Sequence, residues 1–178
     1  MTNDELVARA RSVIGKGCLY GLGRGGRDPE SEHPWEMVKN AEGVWQPRCD
    51  CTGLLAWHLG MDRHLDHPWY RSINGGWLES SAIVRDCGTP FGFFTEVPPG
   101  LARVGDVLVY GDRKNSDGTR RQGHVGIISE VGETGPAKAI HCSKGNERKA
   151  GDAIQETAAG LWIVAGGIVA RHAQEQIA

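Results

Sequence analysis

Residues 48 to 60, RCDCTGLLAWHLG, set Cys51 directly ahead of an apolar run with helical spacing. Asp50 is of the type that caps helix N-termini, so Cys51 falls in the first turn. There, unpaired amides and the positive end of the helix dipole favour a thiolate and predict a lowered thiol pKa. The same amides can steady an oxyanion on an attacked carbonyl. Such a nucleophile also needs a proton acceptor that later protonates the leaving group, which calls for a histidine on another element. The segment GHVGIISEV offers His124, behind a glycine and at the start of an alternating pattern. A lone strand-end histidine is more readily read as a surface residue; its pairing with a helix-entrance thiol makes it a candidate base.

Two other chemistries compete for these residues. Cys49, Cys51, Cys87 and Cys142 with His58, His64 and His67 could supply zinc ligands, but C-x-C and H-x5-H-x2-H are not structural zinc spacings and no C-x-x-C knuckle is present. A metal-free site is therefore expected, with Cys18, Cys87 and Cys142 as small buried hydrophobes. GLGRGG, with Gly21, Gly23 and Gly26, matches a dinucleotide fingerprint. It follows a helical pattern, and RDPESEHP after it cannot open a helix, so the strand-turn-helix context is missing. A turn whose glycines let backbone approach a ligand is the preferred reading, and no cofactor is expected.

The elements that must position these residues follow from periodicity. Thr2 and Glu5 have capping-box spacing, and Leu6, Val7, Ala10, Val13 and Ile14 recur at helical intervals until Gly15 and Gly17. Residues 21 to 47 read as a long irregular loop. Leu54, Leu55, Trp57, His58 and Leu59 predict a second helix ending at Gly60, and a third is expected after Asn74, carrying Trp77, Leu78, Ile83 and Val84. Thereafter short apolar runs predict strands at Val107 to Tyr110, His124 to Val131, Lys138 to Cys142 and Leu161 to Arg171. Helices first and strands later predict an α+β fold with a mostly antiparallel sheet.

A chain of 178 residues is the size of one domain with its own core. Twenty basic against twenty-two acidic side chains leave no electrostatic footprint for nucleic acid and no polybasic membrane patch. No run approaches the roughly 20 apolar residues of a membrane span. Five cysteines leave at least one thiol free, and MTNDELVARARSVIGKG lacks the apolar stretch of a signal peptide. Synthesis in a reducing cytoplasm and a monomeric protein are expected.

DCTGLLAWHLG resembles the Asp-Cys-Ser-Gly nucleophile motif of the NlpC-type papain-fold cell-wall peptidases. GHVGIISEV is similar to their histidine strand, IHCSKG to their third-residue strand, YGLGRGG to their Tyr-containing turn, and VPPGLARVGDVLVYGD to their Pro-Gly-Asp strand entry. The resemblance spans about residues 5 to 170 in the family order of tyrosine, cysteine, histidine and third polar residue. It implies one catalytic domain over residues 1–178, with N-terminal helices packed on the sheet. It also implies Cys51 as nucleophile, His124 as general base and acid, His141 as orienting group, and Tyr20, Asp50 and Thr52 beside the substrate. The family cleaves amide bonds of peptidoglycan stem peptides, often between D-glutamate and diaminopimelate, without metal or cofactor. A wall hydrolase lacking a signal peptide fits a phage lysis enzyme or an interbacterial toxin, delivered to the wall or periplasm by an unidentified route. A toxin would need an immunity or inhibitor protein in its producer.

The chain departs from that pattern in places. Thr52 stands where serine is usual, adding a methyl group at the pocket wall. Residues 27–47, with Trp35 and Trp45, resemble an insertion that either roofs the cleft or forms a solvated loop anchored by its tryptophans. DRKNSDGTRRQ, carrying Arg113, Lys114, Arg120 and Arg121, reads as a solvated hairpin tip or as a receiver of substrate carboxylates. A symmetric hairpin centred on Thr134 and Gly135 would pair His124 with Gly145, four residues past His141. At about 3.3 Å per residue that is out of direct reach, so Ser143 and Asn146 stand beside His141 as alternatives. The same Cys-His pair also serves acyltransferases, thioesterases and cytoplasmic murein-peptide hydrolases. A noncatalytic zinc or peptide-binding module is the third class.

Overall fold

A computed structural model of the chain describes residues 2–90, 92–160, 162 and 165–173. Helix α1 (Asn3–Ser12) opens on a reciprocal capping box: the Glu5 amide donates to the Thr2 side chain and the Thr2 amide to the Glu5 carboxylate. It buries Leu6, Val7 and Ala10. Helix α2 (Cys51–His58) is buried at every position, which is why its apolar run is continuous rather than a stripe.

The segment expected to be one irregular loop is instead partly ordered. Strand β1 (Leu19–Tyr20) runs parallel to β3 (Trp45–Cys49), which pairs antiparallel with β2 (Glu36–Lys39). Trp35 packs against the core, whereas Trp45 is 58% exposed, so only one of the two tryptophans anchors the segment. The single helix expected after Asn74 is also corrected. Helix α3 (Pro68–Asn74) starts on a proline, whose fixed φ suits the first helical turn, and stops at left-handed Gly75; α4 is Ser80–Asp86. Trp77 and Leu78 lie between the two helices, with Trp77 bridged to His64.

The second half builds one sheet. Strands β4 (Phe94–Val97), β5 (Val107–Tyr110), β8 (His124–Gly132), β9 (Gly135–Cys142), β10 (Ile154–Ala158) and β11 (Ile168–His172) stand in the order β10-β9-β8-β5-β11-β4. Every neighbouring pair is antiparallel. The chain is thus α+β with antiparallel pairing, as the order of its patterns predicts. Of the strand expected over Leu161 to Arg171, residues 161, 163 and 164 lie outside the described residues, and β11 begins only at Ile168. A separate hairpin, β6 (Arg113–Lys114) with β7 (Arg120–Arg121), leaves all four basic side chains exposed. Helix α5 (Lys144–Ala150) connects β9 to β10.

Alternation divides the large sheet into two faces. Val107, Val109, Val125, Ile127, Ile140 and Cys142 join the main core with α2, while Leu108, Ile128 and Val169 join Trp162 on the opposite side. The β8–β9 hairpin closes at Gly132 opposite Gly135, so its loop is Glu133 and Thr134. Irregularities around Ser129 and Ala137 compensate each other, and Ile127 faces Ile140. This register corrects the symmetric hairpin expected from the sequence. Gly126 stands opposite His141, and a Cβ built on Gly126 would lie 3.3 Å from the His141 Cβ. His124 and His141 are therefore diagonal neighbours on one face, within reach of each other's long side chains.

Candidate functional site

Cys51 is the first residue of α2, capped as its sequence predicts: Asp50 Oδ1 accepts from the Gly53 amide at 2.8 Å. Asp50 does more than cap. It is 1% exposed, and its Oδ2 accepts from the Gly23 amide at 2.6 Å and from the Arg63 guanidinium at 2.7 Å. Arg63 also donates to Thr52 Oγ1 at 2.7 Å and to the Arg24 carbonyl at 2.8 Å, and Thr52 in turn donates to Asp50 Oδ1. A buried carboxylate is tolerable only with such pairing. The Thr52 hydroxyl is spent inside this network rather than presented to a substrate. Arg63, in GMDRHLDH, carried no pattern that marked it in advance.

The glycines of GLGRGG serve the same helix start. A Cβ on Gly26, whose φ is +70°, would meet the Gly53 carbonyl oxygen at 2.5 Å, and one on Gly53 would meet the Arg24 carbonyl oxygen at 2.4 Å. The close backbone approach at Gly26 is thus made to α2, while Gly23 of the same turn lines the space beside Cys51. The loop does follow a strand, the short β1, but β2 rather than a helix comes after it, so the dinucleotide context is absent.

Burial reverses one expectation. Cys51 is 8% exposed, and burial, followed by the neighbouring Asp50 carboxylate, pushes its thiol up to about 12. The Val125 amide and Arg63 act in the opposite direction but do not prevail. The helix start was expected to lower this pKa; desolvation and a like charge outweigh the helix end. Cys51 is a neutral thiol at rest, lying near the backbone N–H of the residue that follows His124. Tyr20 is half-buried, and burial, then Cys51 and Asp50, push its phenol above its usual range. The Tyr20 amide donates to Glu147 of α5 at 2.8 Å, which fixes β1 beside the thiol.

His124 and His141 are brought together: His124 Nε2 and His141 Nδ1 share a hydrogen bond of 2.8 Å, and His141 Nε2 bonds Thr157 Oγ1 of β10 at 2.9 Å. Trp162 stacks on His124 with ring centroids 4.7 Å apart and meets His141 edge-on at 5.1 Å. Burial pushes His124 down to about 3, with His141 adding to the effect, and burial pushes His141 to about 4. Both rings are neutral at rest. The two alternatives to His141 are occupied elsewhere: Ser143 caps α5 by accepting from the Asn146 amide, and Asn146 Nδ2 donates to the carbonyls of His141 and Ala153.

A cavity of about 200 Å³ opens at Cys51, lined by Tyr20, Leu22, Thr52, Glu79, Asp112 and Arg120 and by Arg63 stacked on Trp77. Gly23, Asp50, Ser80, Gln122 and Gly123 also line it, and the lining stops one residue short of His124. A hollow of about 790 Å³ adjoins the cavity across Trp77, Glu79, Asp112 and Arg120, and one of about 530 Å³ lies elsewhere; neither is lined by the thiol. Among the described residues, none of 27–47 lines the Cys51 cavity, so that segment builds a hairpin rather than a roof. Arg120 pairs with Asp112 at the rim, while Arg113 donates to the Ala165 carbonyl and, like Arg121, lies over the Tyr110 ring.

The remaining cysteines lie apart from this chemistry. Cys18, Cys49 and Cys142 are fully buried, the last donating to the Cys49 carbonyl at 3.2 Å, and Cys87 is partly exposed; all five are free. Among the described residues no three His, Cys, Asp or Glu side chains are grouped so as to hold a metal ion. No helix there is long and apolar enough to cross a membrane. A scan against protein-family models finds no match to this chain, and a search of curated proteins finds none.

Proposed function

We propose that the protein is a cysteine hydrolase that cleaves an amide bond in peptidoglycan stem peptides. The observation that carries this reading is the hydrogen-bonded His124–His141 pair at the end of a strand whose next amide, that of Val125, lies near enough to Cys51 to favour its thiolate. His124 Nε2 is engaged by His141, which leaves Nδ1 to take the thiol proton across the end of β8. The resulting thiolate attacks the carbonyl carbon; the amides of the α2 first turn receive the oxyanion, and the protonated imidazole returns its proton to the leaving amine. Water then hydrolyses the thioester, with His124 again as base. Because thiol and imidazole are both neutral at rest, the proton moves as the substrate is attacked rather than beforehand.

Choice of substrate rests on the motif resemblance, and the polar walls of the cavity are suited to a charged peptide. The test is to digest purified peptidoglycan with the protein and with Cys51→Ala, identifying new termini by mass spectrometry. New amine and carboxyl ends produced only by the unaltered protein are expected. Equal release by both proteins, or none by either, defeats the reading.

A further inference from the structure

His124, His141 and Thr157 occupy three successive strands of the sheet, each two residues further along in the same direction. Gly126, two residues after His124, faces His141; Gln155 faces His141 on the other side, and Thr157 lies two residues beyond Gln155. Diagonal neighbours on one face are close enough for an imidazole to bridge them, and both bonds in the row are made, at 2.8 and 2.9 Å. We infer that Thr157 is a positioning residue: its hydroxyl accepts from His141 Nε2 and thereby sets the tautomers of both histidines.

The protons along the row can be counted. Neutral imidazole carries one N–H, so the row has two self-consistent states. In the outward state His124 Nε2–H donates to His141 Nδ1 and His141 Nε2–H donates to Thr157. His124 Nδ1 is then bare and can accept a proton from Cys51. In the inward state Thr157 donates to His141, His141 Nδ1–H donates to His124, and His124 Nδ1 already holds a proton. Only the outward state suits a base, and only it tolerates the doubly protonated His124 that follows proton transfer, because that ring must donate from Nε2. Thr157 is half-buried and its hydroxyl has no second protein partner among the described residues, so its own proton can turn to water while the oxygen accepts. His141 is 8% exposed, and its Nε2–H would lose its acceptor if the hydroxyl were removed.

The assignment of Thr157 rests on the proposed Cys51–His124 chemistry, and the test separates the two. In protein labelled with ¹⁵N at histidine, two-bond ¹H–¹⁵N spectra should show both rings as the Nε2–H tautomer. Thr157→Val should move both toward Nδ1–H and slow alkylation of Cys51 by iodoacetamide about three- to tenfold, the worth of one net hydrogen bond. Thr157→Ser should restore both signals, which a role in packing alone would not require. Where the valine variant fails to fold by circular dichroism, Thr157→Ala carries the same comparison. Unchanged tautomers, or changed tautomers with unchanged alkylation, overturn the assignment. If Cys51 in the unaltered protein reacts no faster than the partly exposed Cys87, the hydrolase reading fails, while the spectra still decide the place of Thr157.

Discussion

The two halves of the site are held by opposite kinds of chemistry. The Cys51 end of α2 is fixed by a buried ion pair, Asp50 with Arg63, whose further bonds go to Thr52, Gly23, Gly53 and the Arg24 carbonyl, with only the Arg63 Nε left without a protein partner among the described residues. The His124 end is a neutral row of side chains on neighbouring strands, roofed by Trp162. Charge gives the first half rigidity, but the carboxylate that organises the helix start also opposes a thiolate next to it. Without a carboxylate, the second half has little to hold a resting imidazolium. The charged network both places the sulfur and raises its proton affinity, whereas the neutral row places two imidazoles with no charge nearby to hold a proton on them.

Breaking the charged half should cost the most. Arg63→Met leaves Asp50 buried and unpaired, with an expected loss of about 3–5 kcal/mol and a large fall in melting temperature. Adding Asp50→Asn should return part of that stability, since the uncompensated charge is gone. Thermal melts of the two single variants and the double variant check this; additive losses would mean that the pair is not the source of rigidity.

The neutral half should respond in turnover rather than in stability. His124→Ala should lower peptidoglycan cleavage by about two orders of magnitude with the circular dichroism spectrum retained. His141→Ala should cost less, because the rest of the structure still restrains the first ring. A collapse of structure in the His124 variant would assign the ring to packing.

The smallest expected effect isolates burial from catalysis. His58 is fully buried with neither ring nitrogen hydrogen-bonded, and burial, then nearby Arg9, pushes it down to about 3. A depressed histidine contributes stability that is present above its unfolded pKa, about 6.5, and is lost as pH falls toward the folded value. His58→Leu should therefore raise stability by about 1 kcal/mol near pH 7 and by more near pH 5. Melting curves across that range test the sign: a gap that shrinks on acidification would show that the ring is charged in the fold.

How much of this was written in the chain differs between the same two halves. Asp50 and Cys51 were legible because a cap, a first turn and an apolar run are neighbours in sequence, and helix geometry then places them without further information. The capping box on α1, the strand beginning at His124 and the antiparallel α+β class were legible for the same reason, each being a local period or a signal at a helix end. Arg63 was not, since a lone arginine between two turns gains its meaning only from the carboxylate it meets. Thr157 was equally silent: IQETA has one aliphatic residue at its start, and β10 is a strand because β9 offers it a hydrogen-bonding edge. The partnership of His124 with His141 turned on the Glu133-Thr134 loop and on two irregularities that cancel. A shift of two residues in that register would have parted the rings. The raised thiol pKa is hidden from the sequence for a related reason. That a cysteine stands at a helix start follows from neighbours along the chain, whereas desolvation and the pull of the Asp50 charge depend on everything that packs around the sulfur, so which of them prevails is a property of the folded core.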